Sequence, residues 1–351
     1  MTAPSDTSAA APPPERLFLT GATGLVGSHV AELWVARGWT VRCLVRPGSD
    51  TRHLEELGCE LVIGDLTRPE TFRGAADGCS VAVHSAAVLG SDPPWETHRA
   101  VNVDGTQHVV AECLRAGVRR LIHLSSVAVY GHPADHDSLP IDESSPTDLP
   151  VPESARYERS KRRSEQVVRR SAGSEMEWTI LRPEMVMGER DRELTPRVVR
   201  HVRRPVVARV GDGRNGLPVV YAGNVALAAW TAAGSPDAAG RAYNVTDDGT
   251  LTQRELLETA RRITEASGPV IPVPEAVLRA GSRALGAAIE ILPRELADVA
   301  RGRHLWFFAH DDPFDGSRIR RELGWEPTTR AAEGWERSLE WRRRVERAQG
   351  T

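Results

Sequence analysis

The chain has almost no lysine. Of its 45 basic residues, 44 are arginine and one, Lys161, is lysine. A guanidinium stays charged in any protein setting, whereas an ammonium is compact and changes its pKa when it is crowded or desolvated. A lone lysine in an arginine-rich chain marks a place where the two are not interchangeable. Tyrosine is scarce as well, at 4 in 351 residues, and one of the four, Tyr157, stands four positions before Lys161. Net charge is small: a formal −3 gives no global basic field, so nothing asks for nucleic acid as a partner. The four cysteines (Cys43, Cys59, Cys79, Cys113) show no CxxC and no metal-ligand spacing. No metal is expected, and reduced, buried thiols of a cytoplasmic chain are. No apolar run approaches ~18 residues, so no membrane-spanning helix is expected. Residues 1–15 are rich in Pro, Ala and Ser and lack the basic start and apolar core of a signal peptide; they read as a disordered tail.

What is present alternates strand with helix. Arg16–Thr20 reads as a buried strand running into Gly21-Ala-Thr-Gly-Leu-Val-Gly27, and a helical pattern follows from Ser28 to Arg37. Strand, glycine-rich turn and helix are the context of a dinucleotide site. The first glycine permits the tight turn, the second the approach of backbone to a pyrophosphate, the third close packing of helix on strand. A plain structural turn is the alternative. The amides at the helix N-terminus suit phosphate, which makes Gly21, Thr23, Gly24, Leu25, Val26 and Gly27 the candidate cradle.

The next strand, Thr40–Val45, ends at Arg46. An NAD site favours a carboxylate here, on the ribose 2′-hydroxyl. Val45-Arg46 offers none, and Arg46 can pair with a 2′-phosphate, unless it is a solvated loop residue; Arg42 is the weaker candidate. Further strands at Glu60–Ile63, Val81–His84, Arg120–Ser125 and Trp178–Pro183, with a long helix over 96–116, predict a parallel, doubly wound α/β sheet of Rossmann type, whose ligands lie beyond the strand C-termini. Asp65, the turn Ser85-Ala86-Ala87 and Ser125-Ser126 fall at such ends. The loop from Gly131 to Pro152 separates Ser126 from the next helix and is long enough to act as a lid.

Ser154 to Glu165 reads as a helix. Tyr157 and Lys161 then share one face, and a cation beside a phenol lowers its pKa from ~10 toward the range of a proton donor and acceptor. The alternative is a solvated basic face, since Arg159, Arg162 and Arg163 crowd the segment. Beyond Gly188 the alternation fails. Shorter strands near 206–210 and 242–245 mix with helices near 223–233, 252–265, 275–290 and 331–347. The division this implies is a tail at 1–15, a dinucleotide-binding domain at 16–187 and a smaller, mixed substrate lobe mainly at 188–345.

These residues together resemble the extended short-chain dehydrogenase/reductase family. The matching motifs are Thr20–Gly27, Gly64-Asp65-Leu66, His84–Ala87, Asn102–Thr106, Ser126–Gly131, Tyr157-Glu-Arg-Ser-Lys161 and Leu181-Arg-Pro183, in the family's order. The resemblance implies a triad in which Tyr157 is acid or base at the substrate oxygen. Lys161 tunes it and hydrogen-bonds the nicotinamide ribose, and Ser126 orients the oxygen, with Ser125 as the neighbour it could be confused with. It also implies contact of Asp65 with the adenine amino group, with Leu66 beside it on the cofactor, and of Pro183 with the nicotinamide end. The small side chains of Ser85, Ala86 and Ala87 would let backbone lie close to the cofactor; a plain close-packed turn is the alternative.

The C-terminal half resembles the 3β-hydroxysteroid dehydrogenase-like ketoreductase branch. Nucleotide-sugar epimerases and dehydratases of the family carry an Arg-Asp where this chain has Leu217-Pro218, and that departure argues against a sugar nucleotide. Leu305–Ala309 suggests an apolar substrate mouth, a subunit contact, a membrane-facing patch or an ordinary buried helix end. The expected activity is oxidation or reduction of a ketone/secondary alcohol pair on an apolar or natural-product-like substrate. NADP(H) is the preferred cofactor and NAD(H) the other candidate; the partner is a small molecule, and a homodimer is left open. The alternatives are a sugar-nucleotide epimerase or dehydratase and a non-catalytic dinucleotide-binding regulator.

Overall fold

The computed structural model describes residues 15–350 apart from 91, 172, 174, 248–250 and 278–302. The N-terminal tail and most of the helix expected near 275–290 lie outside the described residues. Eleven strands are described: β1 (Arg16–Thr20), β2 (Thr40–Val45), β3 (Glu60–Ile63), β4 (Val81–His84), β5 (Arg120–Leu124), β6 (Glu177–Pro183), β7 (Met185–Met187), β8 (Val207–Val210), β9 (Val219–Tyr221), β10 (Arg241–Val245) and β11 (Val270–Val273). Seven form one sheet in the order β10-β6-β5-β4-β1-β2-β3, with every neighbouring pair parallel. This is the doubly wound sheet the alternation predicts.

A parallel sheet is buried on both faces, so its strands are apolar throughout. β1 shows the division: Leu17 and Leu19 belong to one core layer and Phe18 to the other. On the first face lies helix α1 (Leu25–Ala36), whose Val30, Ala31 and Trp34 are fully buried. Packed on it is an alanine-rich helix, Ala222–Gly234, whose small side chains allow close approach. Trp34 meets Trp230 edge to face at 5.1 Å. On the second face, Val109, Val110 and Cys113 of the helix Gly105–Arg115 pack with Val168 of the helix Arg156–Ser171.

Three expectations are corrected. The strand at 242–245 is the seventh strand of the main sheet, hydrogen-bonded to β6. Residues 222–245 therefore return to the first domain, and a boundary at 187 leaves that seventh strand on its far side. The helix over 96–116 is interrupted by a π-helical stretch, Arg99–Asp104, between Trp95–His98 and Gly105–Arg115. The wider turn accommodates an extra residue and directs Asn102 into the protein, where it is 2% exposed. The 131–152 loop is pinned rather than free. Ile141 exchanges backbone hydrogen bonds with Pro313 (2.7 Å) and Asp315 (2.9 Å), Glu143 accepts from the amide of Asn244 (2.7 Å), and Arg162 donates to the carbonyl of Leu149 (2.5 Å).

The smaller lobe has two parallel strand pairs, β7–β9 and β8–β11. It surrounds a third core in which Val199, Leu256, Leu257, Trp335 and Leu339 are buried. Its helix Gln253–Thr264 starts with a capping box: Thr252 accepts from the amide of Glu255, whose carboxylate accepts from the amide of Thr252. No described helix is long and apolar enough to cross a membrane. All four cysteines are free thiols.

Candidate active site

The strand order aligns the sequence candidates along the C-terminal edge of the sheet. From one end to the other come Pro183 at the end of β6, Ser126 after β5, Ser85–Ala87 after β4, the glycine turn after β1, Arg46 after β2, and Asp65-Leu66 after β3. At about 4.8 Å per strand the five steps span roughly 24 Å.

At the glycine turn, Gly21 stands at φ +74, and a Cβ there would lie 2.6 Å from the amide nitrogen of Ala86. A Cβ on Gly27 would lie 2.1 Å from the carbonyl oxygen of Gly21. These two glycines let the turn nest between β4 and α1, while Gly24 is the exposed N-cap. The first hydrogen bond of α1 runs from the amide of Ser28 to Gly24 (3.0 Å). The N–H groups of Leu25, Val26 and Gly27 are thereby left without helical partners, and they suit a pyrophosphate. Thr23 lies half-buried in the turn, and Ser85, Ala86 and Ala87 are half-buried beside it.

At the far end, the guanidinium of Arg46 is exposed and near enough to Asp65 to help hold that carboxylate below its usual pKa. The larger causes are the amide and hydroxyl of Thr67, each 2.8 Å from Asp65 Oδ1. Arg42 is committed elsewhere, to Glu60 (2.8 Å) and the carbonyl of Asp77 (2.8 Å). Leu66 turns its side chain into the second core layer.

The helix Arg156–Ser171 brings Tyr157 and Lys161 under the end of β5. Lys161 is 4% exposed; its Nζ donates to the carbonyl of Leu124 (2.7 Å) and lies 6.0 Å from the centre of the Tyr157 ring. Burial lowers the ammonium to about 8, against the opposing pull of Glu165. Tyr157 does not show the lowered pKa expected from its neighbour. Burial pushes the phenol up to about 12, and what opposes it is the nearby Ser126 side chain. Lys161 lies over the ring and spends a donor on Leu124, so its charge acts weakly on the hydroxyl.

The two serines separate. Ser125 is buried and donates to Glu165 Oε1 (2.7 Å). Ser126 takes the amide of Ala128 (3.2 Å) and meets the Tyr157 hydroxyl. Pro183 is buried at the end of β6, paired with Val245.

Beneath these groups lies polar machinery that the sequence reading did not assign. Glu165, one turn after Lys161, holds Arg182 through two bonds (2.9 and 2.7 Å). Arg182 also donates to the hydroxyl of Tyr130 (2.7 Å), which donates to Asn244 (2.8 Å). Asn102 clamps both backbone groups of Val88 (2.7 and 3.0 Å) and donates to Ser160 (2.9 Å). That clamp ties the β4 turn to the Tyr157 helix. His84, hydrogen-bonded to Thr20 and Thr106 (2.7 and 2.9 Å), is lowered to about 3 by burial and then by Lys161, so it stays neutral. The i+4 spacing of Glu165 from Lys161 was a signal for that pair. Asn102 stood in a quoted family motif, but its inward aim was not readable, because the π turn that sets it is not visible in a 3.6-residue period.

Between the 131–140 loop and the helix Arg303–Ala309 lies a cavity of about 660 Å³, lined in part by Leu139, Trp306, His310 and Asp312. Trp306 stacks on His310 at 4.4 Å and is 7% exposed, while Phe307, Phe308 and Ala309 are half-buried. Among the described residues no group of His, Cys, Asp and Glu side chains is arranged to hold a metal ion.

Comparison with known proteins agrees with this layout. Residues 17–246 match the NAD dependent epimerase/dehydratase family. The chain is 30% identical over 317 residues to the 4-hydroxy-2-methyl-3-oxo-4-farnesyl-3,4-dihydroquinoline-1-oxide ketoreductase of Stigmatella aurantiaca, covering 88% of this chain and 91% of that one. It is 31% identical over 248 residues to the 2-alkyl-3-oxoalkanoate reductase of Stenotrophomonas maltophilia (strain K279a), covering 69% and 73%. The crystal structure of gox2253 superimposes with a TM-score of 0.75 at 29% identity, covering 95% of this chain and 99% of that one. With its sheet order, glycine turn and reductase relatives, the chain belongs to the NAD dependent epimerase/dehydratase family of extended short-chain dehydrogenase/reductases and is an NAD(P)-dependent oxidoreductase.

Proposed function

We propose that this chain is an NADP(H)-dependent enzyme that interconverts a ketone and a secondary alcohol on an apolar, natural-product-like substrate. The observation that carries the reading is the meeting of Ser126, Tyr157 and Lys161 at the end of β5, on the same sheet edge as the glycine turn. A nicotinamide dinucleotide, when bound, supplies or accepts the hydride. Tyr157 gives a proton to the carbonyl oxygen in reduction and takes it back in oxidation; with its phenol raised to about 12 it is protonated at neutral pH, as the acid role requires. Ser126, whose side chain lies beside the same hydroxyl, orients the substrate oxygen. Lys161 supplies a positive charge, sustained by Glu165, and a donor for the ribose. The fit of the cofactor rests on three unpaired amides at the start of α1 and on Arg46, whose side chain makes no hydrogen bond or ion pair among the described residues. The ketoreductase and oxoalkanoate reductase relatives support net redox chemistry on a carbonyl.

A sugar-nucleotide epimerase is the second reading. Against it, Leu217 is 1% exposed within the third core, and neither it nor Pro218 offers a cation for a diphosphate. The test is stoichiometric. With NADPH and a panel of β-keto acids and cyclic ketones, absorbance of the reduced cofactor should fall in proportion to alcohol formed. Turnover of UDP- or TDP-sugars without net cofactor consumption would establish the second reading instead.

A further inference from the structure

Arg190 stands at φ +71, in the left-handed region that a residue bearing a Cβ occupies only when its surroundings hold it there. What holds it is α1. Its Nε donates to Ser28 Oγ (2.8 Å), and its NH2 lies 2.9 Å from Glu32 Oε1. Ser28 is 2% exposed and donates its own hydroxyl hydrogen bond to the carbonyl of Leu25 (2.9 Å), so Arg190 grips the turn whose amides are unpaired. The residues on either side are anchored as well. Glu189 accepts from the hydroxyl of Tyr221 (2.8 Å), and Asp191 takes the amides of Glu193 (2.7 Å) and Thr195 (2.6 Å) at the start of the helix Leu194–Val202.

Glu32 is the other half of the observation. It puts a negative charge on α1 roughly 10 Å along the axis from Leu25, about one Debye length from the phosphate site. The groups facing it are Arg190 (2.9 Å), His53 (3.0 Å) and His29 (3.4 Å). His29, itself 3.5 Å from Glu189, is held below its usual value by burial and then by Arg190, so it brings no charge at neutral pH.

We propose that Arg190 is a positioning residue for the dinucleotide pyrophosphate: it neutralises Glu32 and fixes Ser28, which keeps the first turn of α1 positive and its free amides aimed. This rests on the reading that α1 binds the dinucleotide. Because the pyrophosphate is common to both cofactors, Arg190 acts on NADPH and NADH alike, which sets it apart from Arg46.

The experiment compares wild type, R190G, R190K and E32Q by fluorescence titration with NADPH and NADH, steady-state kinetics and thermal melting. Glycine suits φ +71, so R190G removes the side chain without backbone strain. It should raise Kd for both cofactors by about tenfold, the scale of one charge-assisted hydrogen bond, with the effect on KM rather than kcat. R190K should lie nearer wild type. E32Q, which removes the opposing charge, should tighten both. A merely structural tie gives the opposite pattern: R190G melts lower with Kd unchanged, and E32Q binds no better or worse. Either of those results overturns the proposal. Wild type binding neither dinucleotide would remove the underlying reading and this inference with it, whereas wild type binding both and R190G binding them equally well removes only Arg190.

Discussion

At the scale of single residues, the proposed reaction rests on one phenol and one ammonium. Tyr157→Phe removes only the proton, so turnover should fall about 10²–10⁴-fold while cofactor titration stays close to wild type. Lys161→Arg keeps a charge but not its compact shape, and should also be severely impaired; a fully active variant would show the lone lysine to be incidental. With Lys161 lowered to about 8, it carries its charge below that pH and loses it above. The pH profile of kcat/KM for ketone reduction should therefore bend downward near pH 8, with no basic limb from Tyr157 until well beyond it. Wild type should prefer NADPH over NADH by about ten- to hundredfold, the worth of a charge-assisted pair, and Arg46→Ala should erode that preference, read as the ratio of kcat/KM values. That Tyr157 lies beside Lys161 and that the glycine turn nests against β4 were legible, because rarity and spacing single these residues out. The raised pKa of Tyr157 was not, since desolvation depends on what folds over the phenol and not on what stands four residues away.

At the scale of elements, the strands β1–β6 were legible to within a residue or two, because a buried parallel strand is a short apolar run bounded by turns. What period alone hides is interruption and tertiary pairing: the π stretch at Arg99–Asp104, and the bonding of the Tyr157 helix to β6 through Glu165 and Arg182. That ion pair is almost fully buried, with side chains 6% and 4% exposed. Removing one partner leaves the other charged and unpaired, which typically costs about 3–5 kcal/mol. Glu165→Gln should lower stability by that order in denaturant titration. It should also move the alkaline bend in activity to lower pH, because Glu165 is the carboxylate that raises Lys161. A stability loss with an unmoved bend would show that Lys161 does not set it.

At the scale of the whole molecule, the sheet and the smaller lobe meet at a carboxyl contact, Glu184 after β6 with Asp312. Burial, and then Asp312, push Glu184 well above the usual carboxyl range, and burial raises Asp312 too. A carboxyl whose folded pKa exceeds its unfolded value adds stability below the ordinary value near 4.5 and loses it as pH rises through the folded one. Glu184→Gln should thus flatten the decline of melting temperature between pH 5 and 8 and leave the variant the more stable of the two at the upper end. An unchanged slope would mean that Glu184 is not held above the usual carboxyl range in the folded protein.

The late arrival of β10 bears on how the polypeptide matures. During synthesis β6 emerges more than fifty residues ahead of its outer neighbour, and Trp34 ahead of Trp230, so the nascent sheet carries an unprotected edge beside an uncovered apolar helix face. Such edges invite pairing with other chains. A polypeptide halted after Met187 should accumulate as aggregate, while one extended through Val245 should yield markedly more soluble material.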